Sequence, residues 1–269
     1  MRVERRALAD TGLVASRLGL ADSYGLDAAG VERAFHEYGV NYVFVSSRSR
    51  QCLEGVRRLV RAGHRDQLVI ASGAGMPTGG GVERAWAAEA RALGVEVIDV
   101  FHLFWVQAHW YVAGKTWPAM RRLKEQGKVR ALALSCHDRS LARELARELD
   151  LDVLMIRYNA AHRGAEHDIF EPLGPGRPAV VAYTATRWGR LLKPAAGLGP
   201  MTGGECYRFA LSHPRVDVVL SAPASEAELR ENVAAVAQGP LEPPRLDEVR
   251  RFGDAVRSSA VGRFGFAGA

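Results

Sequence analysis

The chain has 269 residues, 48% hydrophobic and 25% charged, an ordinary globular composition with enough length to bury one large core. Its net charge is +6, but Arg and Lys alternate with Glu and Asp, as in RELAREL (143–149), and the basic stripe of a nucleic-acid-binding protein is missing. No run approaches the roughly 20 apolar residues of a membrane span, and the charged start MRVERRALADTG has no apolar signal core. Cys52, Cys136 and Cys206 are far apart with no CxxC spacing, so neither a zinc knuckle nor a disulfide framework is indicated. These features predict a cytoplasmic chain with a small-molecule ligand, without nucleic acid or membrane as partner.

In chain order, the first 12 residues are expected to form a small cap. Eight apolar runs of strand length follow: SRLGLA (16–21), NYVFV (41–45), QLVIAS (67–72), VIDVFHLF (97–104), VRALALS (129–135), VLMIRY (153–158), AVVAYT (179–184) and VDVVLS (216–221). Between them, DAAGVERAFHEYG, VERAWAAEARALG and SEAELRENVAAVAQG carry apolar residues at helical spacing and end on Gly, as helices do. GAGMPTGGG (73–81) reads as a flexible strand-to-helix loop, because it lacks the Lys-Ser/Thr ending of a phosphate loop. Residues 244–258 read as a final helix. Continuous apolar strands alternating with helices indicate a parallel sheet covered by helices. Eight units, with no GxGxxG after the first strand, favour a single (β/α)8 TIM barrel over residues 1–269 rather than an open dinucleotide-binding sheet.

Several segments, in order, resemble aldo-keto reductases. TGLVASRLGL matches the family's opening, GVNYVFVSS (39–47) its "GINFFDTA", DQLVIASGAG (66–75) its "VVIATKVG", VIDVFHLFW (97–105) its "YIDLYLIHW", and EQGKVRALALSCHD (125–138) its "EGKVRAIGVSNF". RYNAAHRGAEHDIF (157–170), VVAYTATRWGRLL (180–192) and RFALSHPRVDVVLSAP (208–223) match the last three units. The resemblance implies carbonyl reduction with NADPH, in which a Tyr donates the proton, a Lys and an Asp tune that Tyr, and a His orients the substrate. Here the Asp position holds Phe44, the Tyr position falls near Ser49, the Lys position is Gly73 and the His position is Phe104. Phe and Gly have no titratable atom, so the four positions read as a degenerate catalytic tetrad.

The resemblance also implies an NADP or NAD site. Its contacts would be Ser135 on the carboxamide, Tyr183 stacked on the nicotinamide, and Arg187 or Arg190 on a phosphate. The motifs around them depart from the family: Cys136 replaces an Asn, Met155 replaces a Gln, and Ala222, Pro223 and Glu228 replace the Lys, Ser and Arg that grip the 2′-phosphate.

Active sites of this fold lie at the C-terminal ends of the strands. That rule selects Asp22, His102 and His162 as candidate catalytic groups, a carboxylate and two imidazoles able to divide acid and base roles. His102 has the alternative of a hydrogen-bonded core histidine, one layer below Phe104. Phe44, Arg48, Phe104, His137 and Asn159 are candidate substrate contacts. No ligand spacing demands a metal. Three readings fit these residues. One is a diverged enzyme acting on a small, partly apolar or aromatic molecule at the mouth. The second is an NAD(P)H oxidoreductase with a substitute proton donor such as Tyr24 or His102. The third is a non-catalytic barrel that binds a ligand or a protein.

Overall fold

The computed structural model describes residues 1–21 and 25–261. A short antiparallel hairpin, β1 (Arg5–Ala7) and β2 (Val14–Ser16), precedes a closed parallel barrel. The barrel strands are β3 (Leu18–Ala21), β4 (Tyr42–Phe44), β5 (Val69–Ala74), β6 (Ile98–Val106), β7 (Val129–Cys136), β8 (Val153–Arg157), β9 (Ala179–Tyr183) and β10 (Val218–Ser221), with β10 closing onto β3. The helices around them are α1 (Ala28–His36), α2 (Arg50–Arg61), α3 (Gly79–Leu93), α4 (Thr116–Glu125), α5 (Arg139–Glu148), the single turn α6 (Glu171–Leu173), α7 (Gly203–Ser212), α8 (Glu226–Val236) and α9 (Pro243–Val261). Each predicted apolar run overlaps one barrel strand, and β5, β6 and β7 run one or two residues past the predicted ends. The predicted final helix is α9.

Strand alternation sorts the core into two parts. Outward-facing Ile70, Phe101, Leu103, Leu132, Leu154 and Val219 pack beneath the helices. Inward-facing Tyr42, Val100, Ala131, Ala133, Met155 and Val181 fill the barrel, which is therefore a packed core rather than a pore. A Cβ on Gly19 would lie 2.9 Å from Cδ1 of Tyr42, so a glycine is needed there to seat the buried ring. The expected N-terminal cap is the hairpin: Leu8 and Leu13 at its turn are buried in the inner cluster and plug the base of the barrel.

The segment 73–81 differs from its reading as a flexible loop. Strand β5 continues through Ala74, and α3 begins at Gly79. Thr78 caps the helix by accepting the Gly81 N–H at 3.0 Å, which supplies one of the orphan partners a helix start requires. Gly79 and Gly81 are small because Lys115 and Met76 lie against them, 2.9 and 2.7 Å from where a Cβ would stand. The glycines thus serve close packing of the first turn.

The base of the barrel repeats one device. Asp99, Asp152 and Asp217, near the starts of β6, β8 and β10, accept the N–H of Ile70, Leu132 and Val180 at 2.8, 2.7 and 2.8 Å. Asn41 does the same for Ser16 at 2.7 Å. Cations complete the pairs: Arg65 and Arg130 on Asp99 at 3.0 and 3.1 Å, Lys124 and Arg177 on Asp152. A buried carboxylate needs such company to stay charged. These groups lie at the face that carries stability in this fold, opposite the active-site face.

Candidate active site

The C-terminal mouth is floored by three rings. On β6, His102 and Phe104 point inward and stack at 5.9 Å with planes 16° apart, and Phe44 of β4 meets both edge-on at 5.6 Å. His102 is fully buried. Its Nδ1 lies 3.1 Å from the Ser72 carbonyl oxygen; a carbonyl can only accept, so Nδ1 carries the proton and Nε2 is bare. Nε2 has no partner among the described residues. Burial pulls the pKa of His102 down to about 4, against a smaller upward effect of the Ser72 carbonyl, so the imidazole is neutral at pH 7.

Gly73 lies beside this floor, paired with His102 in the β5–β6 ladder. A Cβ there would collide with the His102 carbonyl oxygen and stand 2.8 Å from Cζ of Phe104. The Phe104 ring fills the space a side chain at 73 would enter. The two replacements therefore compensate each other in volume. Ser49 is buried at the start of α2, its Oγ accepting the Ser46 N–H at 3.2 Å. The loop that holds it is clamped from behind by buried Glu89 of α3, which accepts the Ser47 N–H and Oγ–H at 2.6 and 2.8 Å. Arg48 is exposed on this loop. Asp22 and Tyr24 lie outside the described residues.

The opposite wall belongs to β7–β9. The Tyr183 hydroxyl is 2.8 Å from His137 Nδ1, and burial raises the Tyr183 pKa. Asn159 is fully buried and closes its own loop: it donates to the Thr184 carbonyl at 2.9 Å and accepts the Ala161 N–H at 3.0 Å. His162 Nδ1 sits 3.2 Å from the Asn159 Oδ1. Its pKa falls to about 4, first through burial and then through Arg157, Arg187, Arg257 and Arg139. Among these, Arg157 was missed by sequence reasoning, although it shares the inward parity of Met155 two residues earlier. His102 and His162 therefore stand on different walls, and no contact joins them among the described residues.

A cleft of about 560 Å³ also exists on the other face, between the hairpin, residues 174–176 and residues 213–217. Its arginines are engaged in holding loops: Arg6 donates to the Pro214 carbonyl, and Arg215 to those of Gly176 and Pro178. This is the stability face, and we assign it no chemistry.

Two of the four candidate cofactor residues have other duties here. Ser135 Oγ accepts the Trp105 N–H at 2.9 Å. Arg187 is buried and donates to the Val256 carbonyl of α9 at 2.7 Å. Arg190 is exposed. Glu228 accepts the Ala224 N–H at 2.9 Å at the start of α8, placing a carboxylate at a helix N-terminus that would otherwise attract an anion. A nicotinamide ring on Tyr183 would share its wall with Arg157, which acts on Tyr183 electrostatically. At Ser135, Arg187 and Glu228 the lining does not fit a phosphate-bearing nicotinamide cofactor held in the family's manner.

Closed eight-stranded barrel, hairpin plug and strand-end mouth together define a (β/α)8 barrel of the aldo-keto reductase type. The aldo/keto reductase family model matches residues 26–196, more than half of the chain, and the chain belongs to that family. Among solved structures it is similar to the holo form of aldo-keto reductase AKR11C1 from Bacillus halodurans, at 20% identity and a TM-score of 0.77 over 93% of this chain and 96% of that one. The apo form of the same enzyme gives 20% and 0.76 over 93% and 96%. A Pseudomonas aeruginosa protein provisionally assigned to the aldo-keto reductases gives 20% and 0.71 over 87% and 95%. At this identity the likeness carries the fold alone. No curated protein sequence matches the chain significantly. Among the described residues, no helix is long and apolar enough to cross a membrane, and no group of three or more His, Cys, Asp or Glu could hold a metal ion.

Proposed function

We propose that this chain is an enzyme acting on a small, partly apolar or aromatic organic molecule at the barrel mouth, without the family's tyrosine-based carbonyl reduction. One observation carries the reading: the Phe104 ring stands 2.8 Å from the Cβ site of Gly73, so the family's Lys position is both empty of an amine and closed to one. With Phe44 at the Asp position, no group remains to tune a phenol near Ser49 toward neutral pH. What remains is an apolar floor with polar groups on its rim, the usual form of a small-molecule site. Phe44 and Phe104 would contact the body of the ligand, and Arg48 and His137 its polar groups, whereas Asn159, fully buried and bonded within its own loop, would shape the wall. His102 and His162 are neutral imidazoles, and with Asp22 they are the candidate acid–base groups. His102 has its bare Nε2 beneath the rings, so a ligand reaches it only by moving Phe44 or Phe104.

One observation favours a second reading, NAD(P)H-dependent oxidoreduction with a substitute donor. Tyr183 and His137 form a phenol–imidazole couple at 2.8 Å, a pair able to pass a proton. The engagement of Arg187 and Ser135 argues against it. The test is a crystal soaked with small aromatic compounds, followed by alanine variants of Asp22, His102 and His162 once turnover is found. Density against Phe44 and Phe104 supports the first reading. Density only outside the mouth, or full turnover in all three variants, removes its basis.

A further inference from the structure

Among the described residues, Arg157 has no side-chain partner in the fold. It ends β8 opposite Tyr183 in the β8–β9 ladder. Leu154 and Ile156 face the helices while Met155 faces the barrel, so Arg157 points into the mouth. It is half-buried, its pKa lowered by desolvation. No hydrogen bond or ion pair engages its side chain among the described residues.

Among the described residues, the surrounding carboxylates are already committed. Asp138 caps α5 by accepting the Leu141 N–H at 2.9 Å. Asp168 pairs with Arg139. Glu166 accepts the Tyr158 hydroxyl at 2.6 Å and pairs with Arg250 at 3.5 Å. Asp99, Asp152 and Asp217 are at the far end of the barrel, and buried Glu89 is committed to Ser47. Around Arg157 the neighbours are cations, Arg139 and Arg257, together with the imidazoles His137 and His162, on whose protonation it acts. A half-buried guanidinium among like charges is costly unless an anion joins it. Its planar fork suits a carboxylate or phosphate bidentately.

Backbone strain lies in the same place. Of the six non-glycine residues with positive φ among those described, Trp105, Thr184, Arg187 and Trp188 lie at the ends of β6 and β9, on the mouth side. Such strain gathers at ligand sites.

We propose that the mouth is built for an organic anion, whose carboxylate or phosphate is taken by Arg157 beside His137, Tyr183 and His162, and whose apolar body lies on Phe44 and Phe104. The body's place rests on the function proposed above; the anion's place rests on Arg157 alone. The test is calorimetric titration of the wild type, Arg157→Gln and Arg157→Lys with 1-naphthoate, 1-naphthyl phosphate and the neutral 1-naphthalenemethanol. Arg157→Gln should weaken the anions about 10- to 100-fold and change the alcohol less than about twofold. Arg157→Lys should keep part of the affinity, and the better of the two anions names the headgroup. Equal binding of naphthoate and alcohol by the wild type, or unchanged naphthoate binding in Arg157→Gln, overturns the anion site and leaves the apolar mouth standing. Arg157-dependent stabilisation by inorganic phosphate without any naphthalene binding keeps the anion site and overturns the apolar reading. Binding of none of these overturns both. Should Arg157→Gln not fold, the wild-type comparison of naphthoate with alcohol decides the matter.

Discussion

Adding one methyl group at Gly73 tests how the mouth is packed. In Gly73→Ala the new Cβ meets two obstacles: the His102 carbonyl oxygen, which is fixed in the β5–β6 ladder, and Cζ of Phe104 at 2.8 Å. The ring can turn away; the carbonyl moves only with its strand. Overpacking of a tight core costs about 1–3 kcal/mol, and a backbone obstacle places this site at the upper end, about 3 kcal/mol. For a domain of this size each kcal/mol lowers Tm by roughly 2–4 °C, so the expected drop is about 6–12 °C. The double variant Gly73→Ala/Phe104→Ala removes the ring but keeps the carbonyl. Its cost should fall short of the sum of the two single changes, because residues in contact couple. Urea unfolding of the four proteins measures this cycle. Wild-type stability in Gly73→Ala, within about 0.5 kcal/mol, or strict additivity in the double variant, would refute the claim that Phe104 fills the space over Gly73.

Two further outcomes follow from the charges. His102 has a folded pKa of about 4 against about 6.5 when unfolded, so it is neutral in both states above that higher value. As pH falls between the two values, the unfolded chain takes up a proton the fold refuses, and stability drops by about 3 kcal/mol before levelling off. His102→Leu should remove that share of the loss while the parallel share of His162 persists; superimposable stability–pH curves for variant and wild type would contradict it. Arg187→Met should cost about 2 kcal/mol through the lost Val256 contact without altering affinity for NADPH or NADH. A wild-type preference for NADPH that vanishes in this variant, measured by fluorescence titration, would return Arg187 to a phosphate role.

The architecture was readable because its signals are periodic. Apolar runs such as VIDVFHLF and VRALALS are buried on both faces, which only a helix-covered parallel sheet provides. Alternation even placed His102 inward beneath Phe104. Sequence pattern failed where a residue's role depends on what lies across the barrel. Nothing in GAGMPTGGG tells that Met76 and Lys115 press on the helix start and make those glycines part of α3. Spacing does not reveal that Arg187 turns away to α9, or that Ser135 is taken by Trp105. Arg157 could have been found by extending the inward parity from Met155. Its isolation became visible only with each nearby carboxylate among the described residues matched to a partner. Glu89 lies far from its loop in sequence, and its clamp on Ser47 left no local signal.

The central claim is that the mouth has lost the means to protonate a carbonyl by the family's route. The most direct measurement is NADPH oxidation, followed by absorbance at saturating cofactor, with 4-nitrobenzaldehyde as substrate, in the wild type and in Phe104→His. The wild type should show no turnover above the enzyme-free rate. Phe104→His alone should restore none, because no amine can be seated at Gly73. Saturable wild-type turnover, dependent on both NADPH and the aldehyde and lost in His102→Leu or Tyr183→Phe, would contradict the account and identify the substitute proton donor.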